Sequence, residues 1–261
     1  FNNLEEPEQQ IKEAILNSPV IHNDETGIRC EAKTKWIHTN STEMFTYYAI
    51  HEKRGREAID DIGILPDYKG ISVHDRYSSY DDYECKHALC NAHLLRDLKG
   101  LFEDECKIWA EKMISFLVKA KQEKESHKIK KKRREELLLE YNKILKKGFK
   151  DEPILEPITV KKRGRPKKPK SILLLETFQN RSSEILRFLF HKDVPFDNNL
   201  AERDLRMVKL KQKISGCFRT KFGSQVFCRI RSYISTVRKQ GYSVLDALML
   251  AVEGTPINLS I

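Results

Sequence analysis

Three acidic residues have types that, brought together, would do chemistry on phosphate: Asp24, Asp75 and Glu202. Carboxylate oxygens suit hard divalent cations such as Mg2+ and Mn2+, which keep water positions open for a phosphate group. Two such ions about 3.5–4 Å apart activate a water or a 3′-hydroxyl on one side of a phosphorus and stabilise the leaving oxygen on the other. Acids held apart from cationic partners repel one another, so binding metal would relieve that repulsion.

Each acid also has a plainer reading. Asp24 precedes Thr26-Gly27 and fits a turn, and Asp75 fits an N-cap for a helical turn over 76–80. Glu202 sits in VPFDNNLAERDLRMVKLKQK, residues 194–213, where Asp197 and Asn198 offer N-cap chemistry before a helix. On a 3.6-residue period Ala201, Leu205 and Val208 form a buried stripe, while Glu202, Arg206, Lys209 and Lys213 share a second face. Glu202 is then either the partner of Arg206 in an i,i+4 ion pair, stabilising by roughly 0.2–0.5 kcal/mol, or a metal ligand. The three cations would meet phosphates.

Two further groups carry chemistry. Cys85, His87, Cys90 and His93 offer zinc-type donors at a strand-to-helix junction, where Cys and His are also buried for packing alone. Arg163-Gly164-Arg165-Pro166, flanked by lysines, resembles an AT-hook that lies in the A·T minor groove; the alternative is a basic solvated linker.

The bulk composition agrees with a polyanion as partner. The 261 residues carry 48 Lys and Arg against 38 Asp and Glu, a formal charge of +10, and nucleic acid is the commonest such partner. No apolar run reaches the ~20 residues of a membrane span, and FNNLEEPEQQ is no signal peptide. Six cysteines without a CxxC pair fit free thiols in a reducing cytoplasm. The chain opens without Met, which we take as the mark of a fragment of something longer.

The positioning elements follow from periodicity. A helix over 4–17 precedes short strands at 20–24, 28–32, 36–39 and 45–49, with Thr26-Gly27 and Lys33-Thr34 punctuating the connections. A helix between Gly55 and Gly63, a strand ending at Asp75, a strand over 86–90 and a helix from Asn91 come next. Residues 102–150 are helical throughout, 151–170 form a Pro-rich basic arm, and helices cover 171–190, 200–213, 225–240 and 244–252. In the 225–240 helix Val226, Phe227, Ile230, Ile234 and Val237 are expected inside.

A meander, then helix, strand, strand and closing helices is the order of a ribonuclease H-like domain. The expectation is an α/β fold with a mixed sheet flanked by helices and interrupted by an all-helical insertion before the last acidic residue. There the strands ending in Asp24 and Asp75 are parallel neighbours, with their C-terminal tips side by side. The expected organisation is an N-terminal helix over 1–17 and a first catalytic part over 18–101. A helical insertion with its basic arm covers 102–170, the remainder of the catalytic domain 171–240, and a C-terminal helix and tail 241–261.

The motifs HNDET (22–26), VHDRYSSY (73–80), HALCNAHLLRDL (87–98) and PFDNNLAERDLRMVKLKQKISGCFRT (195–220) closely resemble the DDE transposases of the insertion sequence 66 family, over about residues 18 to 250. The resemblance implies a DDE triad of Asp24, Asp75 and Glu202, Mg2+ with Mn2+ as substitute, and DNA ends and target DNA as substrates. It also matches Lys209 to a basic position of many DDE enzymes and Cys90-Asn91-Ala92-His93 to a C-x-x-H element, with His93 orienting or contacting DNA near Asp75. Full-length members carry N-terminal helical and zinc-binding regions that nothing in these residues matches. The expected activity is DNA strand cleavage and strand transfer in a bacterial cytoplasm, by a homo-oligomer when two ends are joined. The alternatives are a basic DNA-binding fragment without catalysis, or a nuclease that only hydrolyses.

Overall fold

The computed structural model describes residues 1–126, 129–152 and 168–259, and the Arg163 and Arg165 of the AT-hook-like motif lie outside them. The backbone groups into two compact units, Phe1–Leu89 with Asn198–Ile261, and Cys90–Asp197. In the first unit α1 (Glu5–Leu16) precedes β1 (Val20–Cys30), β2 (Lys33–Ser41), β3 (Thr46–His51), α2 (Arg56–Ile62), β4 (Ile71–His74) and β5 (Lys86–Leu89). The second unit holds α3 (Asn91–Glu105), α4 (Ile108–Ser126), α5 (Lys131–Asp151), α6 (Lys170–Asn180), α7 (Ser182–Ile185) and α8 (Arg187–Phe190). The chain then returns with α9 (Asn199–Ser215), β6 (Cys217–Phe218), α10 (Lys221–Lys239) and α11 (Val244–Glu253).

Among the described residues the strands form one mixed sheet in the order β3-β2-β1-β4-β5, with β6 also on β1. β1 and β2 are antiparallel, as are β2 and β3, whereas β4 runs parallel to β1 and to β5. The expected parallel neighbourhood of the Asp24 and Asp75 strands is therefore present.

The meander differs from the expected one in a way that matters for Asp24. Val20 to Cys30 is one strand rather than two, so Asp24 lies in its middle and not at a tip, and Thr26-Gly27 makes no turn. Gly27 instead pairs with Trp36, where a Cβ would meet the indole at an ordinary 3.7 Å, so the strand passes through it without a break. The reversal comes at Glu31 and Ala32, with φ of 51° and 60°. Two successive left-handed residues make the tight hairpin whose twist suits its strands.

Side chains alternate across β1. Ile21 joins an apolar cluster with Ile11 and Ile15 of α1, while Ile28 and Cys30 join Leu205 and Val208 of α9 on the opposite face. The predicted buried stripe of α9, Ala201, Leu205 and Val208, is buried as expected.

α10 corrects another expectation. Val237 is buried and Phe227 and Ile230 pack against the apolar clusters as expected, but Val226 is only half-buried and most of the buried face consists of Ser224, Cys228, Ser232, Ser235 and Thr236. The reason is a backbone need: the N–H groups of Tyr48 and Thr46 on β3 donate to the Ser232 and Thr236 hydroxyls at 2.9 and 3.1 Å. Edge-strand amides would otherwise lack partners in a dry contact.

In the second unit Trp109, Phe116, Tyr141 and Phe178 form buried packing among α4, α5 and α6. A Cβ on Gly148 would come within 2.7 Å of Leu175 and 3.0 Å of Trp109, so glycine lets α5 approach closely. The buried Glu152 carboxylate accepts from Lys107, Trp109 and Ser171 at 2.9, 3.1 and 2.8 Å. The single helix expected over 171–190 is three short ones, with one break at Arg181 in the polar stretch NRSSE and another at Leu186.

Candidate active site

The acids of the first unit are set by strand register. Val20, Ile21 and His22 pair with Ile71, Ser72 and Val73, so Asp24 and Asp75 each stand two residues beyond the last pair. Asp24 is half-buried with its Oδ1 accepting from the Glu25 N–H at 2.8 Å. Asp75 is also half-buried, and its Oδ1 accepts from the Tyr77 N–H at 2.8 Å, closing a turn that aims the loop after β4.

Glu202 arrives on α9 by a separate fastening. Asn198, the residue before the helix, faces His22 Nδ1 with its Oδ1 at 2.8 Å and donates from Nδ2 to the Asn23 carbonyl at 2.9 Å. Asn198 thus sits at the predicted cap position, but no side-chain cap is made there. Its amide pins the start of the helix to the strand that carries Asp24. Asp197, the other predicted cap residue, lies 3.8 Å from Lys121.

Two residues beyond Glu202, Asp204 fixes the roll of α9. Its carboxylate accepts from Ser41, Thr46 and Lys239 at 2.7, 3.0 and 2.8 Å, and its carbonyl accepts from Tyr48 at 2.9 Å. Sequence reading passed over Asp204, because nothing local separates it from Glu202.

The electrostatics register the gathering. The Asp24 carboxyl is pushed up to about 7, chiefly by burial and then by the charge of Glu25, with Asp75 and Glu202 adding further in the same direction. The Glu25 amide hydrogen bond works against the rise. The charges of both other predicted acids therefore reach Asp24.

Glu25 is the acid that the sequence did not flag. Its buried carboxyl is raised mainly by desolvation and held down by Tyr80 and Arg54. Arg54 Nε donates to it at 2.8 Å and Nη2 lies at 2.7 Å, while the Tyr80 hydroxyl also donates to it. The Arg54 guanidinium lies over the Tyr77 and Trp36 rings at 4.1 and 4.8 Å. Adjacent strand residues point to opposite faces, so Glu25 has its own cation and Asp24 faces the α9 side.

Arg206, Lys209 and Lys213 are all exposed on α9, as the helical pattern required. Cys90 and His93 open α3 of the second unit, with Cys90 buried as the residue before the helix. Cys85 packs in the apolar cluster of the first unit, where burial pushes its thiol up to about 11. His87 is engaged with His74, Nδ1 to Nε2 at 2.9 Å. All six cysteines are free thiols.

The class of the chain comes from comparison with known families: a DDE transposase family model matches residues 1–226. That family is described as Transposase IS66 family, and the chain belongs to it. Membership implies a part in DNA transposition and DNA as substrate. Among curated proteins none matches the chain. Among the described residues no helix is long and apolar enough to cross a membrane.

Proposed function

We propose that this chain is the ribonuclease H-like catalytic core of a DNA transposase, cutting DNA strands at element ends and joining the freed 3′-hydroxyl to target DNA. The observation that carries the reading is the Asp24 carboxyl, raised in part by the charges of Asp75 and Glu202, which reach it from the loop after β4 and from α9. The strand order β3-β2-β1-β4-β5 supports the fold part of the reading.

The residues fit a pair of hard divalent ions, Mg2+ or Mn2+ in its place. They offer carboxylate oxygens, and the upward shift of Asp24 marks a site with more negative charge than its surroundings solvate. Asp24 and Asp75 would hold or share the metals and Glu202 would complete the second position. When bound, the ions supply an activated water or 3′-hydroxyl and charge neutralisation at the leaving oxygen.

The chain's own residues do the rest. Asn198 and Asp204 set the position and roll of α9, hence where Glu202 stands. Arg54 and Tyr80 occupy Glu25, so that it does not compete for the metals. Arg206, Lys209 and Lys213 present cations on the outer face of the same helix and would hold DNA phosphates. His93 would orient or contact DNA, with Cys90 as a supporting residue. Joining two ends at once needs two such cores, so the active form on DNA is a homo-oligomer.

The test is Mn2+-dependent nicking of supercoiled DNA together with joining of a labelled 3′-hydroxyl end. Asp75→Asn should fold normally and lose both. Nicking without joining in the wild type would leave a hydrolysing nuclease, and binding indifferent to metal and to all three acids would leave a passive DNA-binding fragment.

A further inference from the structure

Three residues of the first unit outside the proposed triad make a second donor set. His74 ends β4, Asp81 follows the 3-10 turn Ser78–Tyr80, and His87 lies in β5. One ligand atom from each lies within 4.8 Å of the others. His74 is fully buried, His87 partly so, and Asp81 is exposed, so the cluster reaches from the sheet to solvent.

The hydrogen bonds around the two rings set their tautomers. His74 Nδ1 is bonded to the Asp75 carbonyl, and His87 Nε2 to the Tyr83 carbonyl at 3.0 Å. A carbonyl oxygen only accepts, so each outer nitrogen carries its hydrogen. In two neutral rings the inner nitrogens, His74 Nε2 and His87 Nδ1, would then both present lone pairs, and they face each other at 2.9 Å. Two lone pairs at that distance repel. Something electrophilic belongs between them, either a shared proton or a metal ion.

We infer that His74, His87 and Asp81 bind a transition-metal dication, with zinc the best chemical match. Two imidazole nitrogens and one carboxylate oxygen are a zinc donor set that leaves a fourth position open to water. Outer ring N–H groups held by carbonyls are the supporting contacts that orient metal-ligating histidines. The rings are nearly perpendicular, at 83°, and Tyr80 packs 4.8 Å from His74, which fixes its aim. Nitrogens about 2.0–2.1 Å from one tetrahedral zinc lie about 3.3 Å apart, so filling the site asks the rings to part by a few tenths of an ångström. Such an ion would tie β4, the 3-10 turn and β5 together, bracing the loop that holds Asp75. The site differs from the carboxylate cluster in donor type and does not depend on the transposase mechanism proposed above.

The experiment is a zinc titration of the chelator-stripped full chain against a chromophoric competitor, repeated with Co2+ to read the ligand-field spectrum. The wild type should take up zinc with a cobalt spectrum of nitrogen and oxygen ligation. His87→Ala should weaken zinc by at least about 100-fold, beyond the 10–100-fold typical of losing a supporting group. Asp81→Asn, at an exposed position that folding tolerates, should weaken it by at least about 10-fold. The combined Asp24→Asn, Asp75→Asn, Glu202→Gln variant should keep zinc at this site, even though it would abolish nicking. Zinc affinity unchanged in folded His87→Ala and Asp81→Asn, or no zinc uptake by the folded wild type, overturns the inference and leaves a proton shared between the rings.

Discussion

Asp24 and Asp75 stand at equivalent positions of two parallel strands, each two residues past the last paired residues, His22 and Val73. The pairing of β1 with β4 turns two acids remote in sequence into neighbours whose charges act on each other. In metal-free protein that proximity is a cost, so Asp75→Asn should raise stability by about 1 kcal/mol, or about 2–4 °C in melting temperature for a domain of this size. The same change should reduce Mn2+-dependent nicking by at least about 100-fold. Calorimetry in chelator and a nicking assay check the pair of effects; a destabilised but active variant would contradict the placement.

Asp204 should matter for stability more than its sequence context suggests. It pairs with Lys239, whose side chain is 13% exposed and whose pKa is lowered first by desolvation. Asp204→Ala leaves that ammonium, Ser41 and Thr46 without their acceptor. Breaking a buried pair costs about 3–5 kcal/mol, and the residual exposure puts the expectation at the low end. Denaturant unfolding measures it, and a loss below about 1 kcal/mol would show that Asp204 does not fix α9.

The basic face of α9 should act on DNA affinity rather than on the chemical step. Arg206→Ala, Lys209→Ala and Lys213→Ala should each weaken binding about equally for any sequence and lower the slope of log affinity against log salt by about 1. Fluorescence anisotropy between low and moderate salt reads both. A variant that weakens binding without changing the slope is not losing a phosphate contact.

His38 gives a pH signature. Burial, with His51 and Arg54 nearby, depresses its pKa from 6.5 to about 4, against a hydrogen bond to the Lys53 carbonyl. The folded state binds that proton less readily than the unfolded chain, so the stability His38 contributes is complete above pH 6.5. It falls away toward pH 4, by at most about 3 kcal/mol. Asp24, raised to about 7, has the opposite sign and favours the folded state as pH falls through the same window. Melting curves from pH 7.5 to 4.5 should therefore fall less steeply for His38→Gln than for the wild type; identical slopes would rule His38 out.

Local chemistry determined a good part of this protein. The apolar stripe of α9 and its basic outer face follow from a 3.6-residue period, because burial on a helix is a local rotation. The types of the three acids suggested metal ligation, and their order along the chain suggested the sheet. The hairpin at Glu31-Ala32 was not legible, since neither residue advertises a left-handed backbone. Nor was the hydroxyl-lined face of α10, because serine and threonine count as surface residues until a strand edge needs their oxygens.

The tertiary structure alone decided which partners each acid meets. Asp24, Glu25, Glu202 and Asp204 share one chemistry, yet Glu25 meets Arg54 and Tyr80, and Asp204 meets Lys239, while Asp24 feels the charges of Asp75 and Glu202. That His87 lies against His74 likewise came from the β4–β5 pairing, not from spacing. A side chain's partner is fixed by which strands and helices lie beside it, and that is set by packing between segments far apart in the chain, which no local pattern encodes.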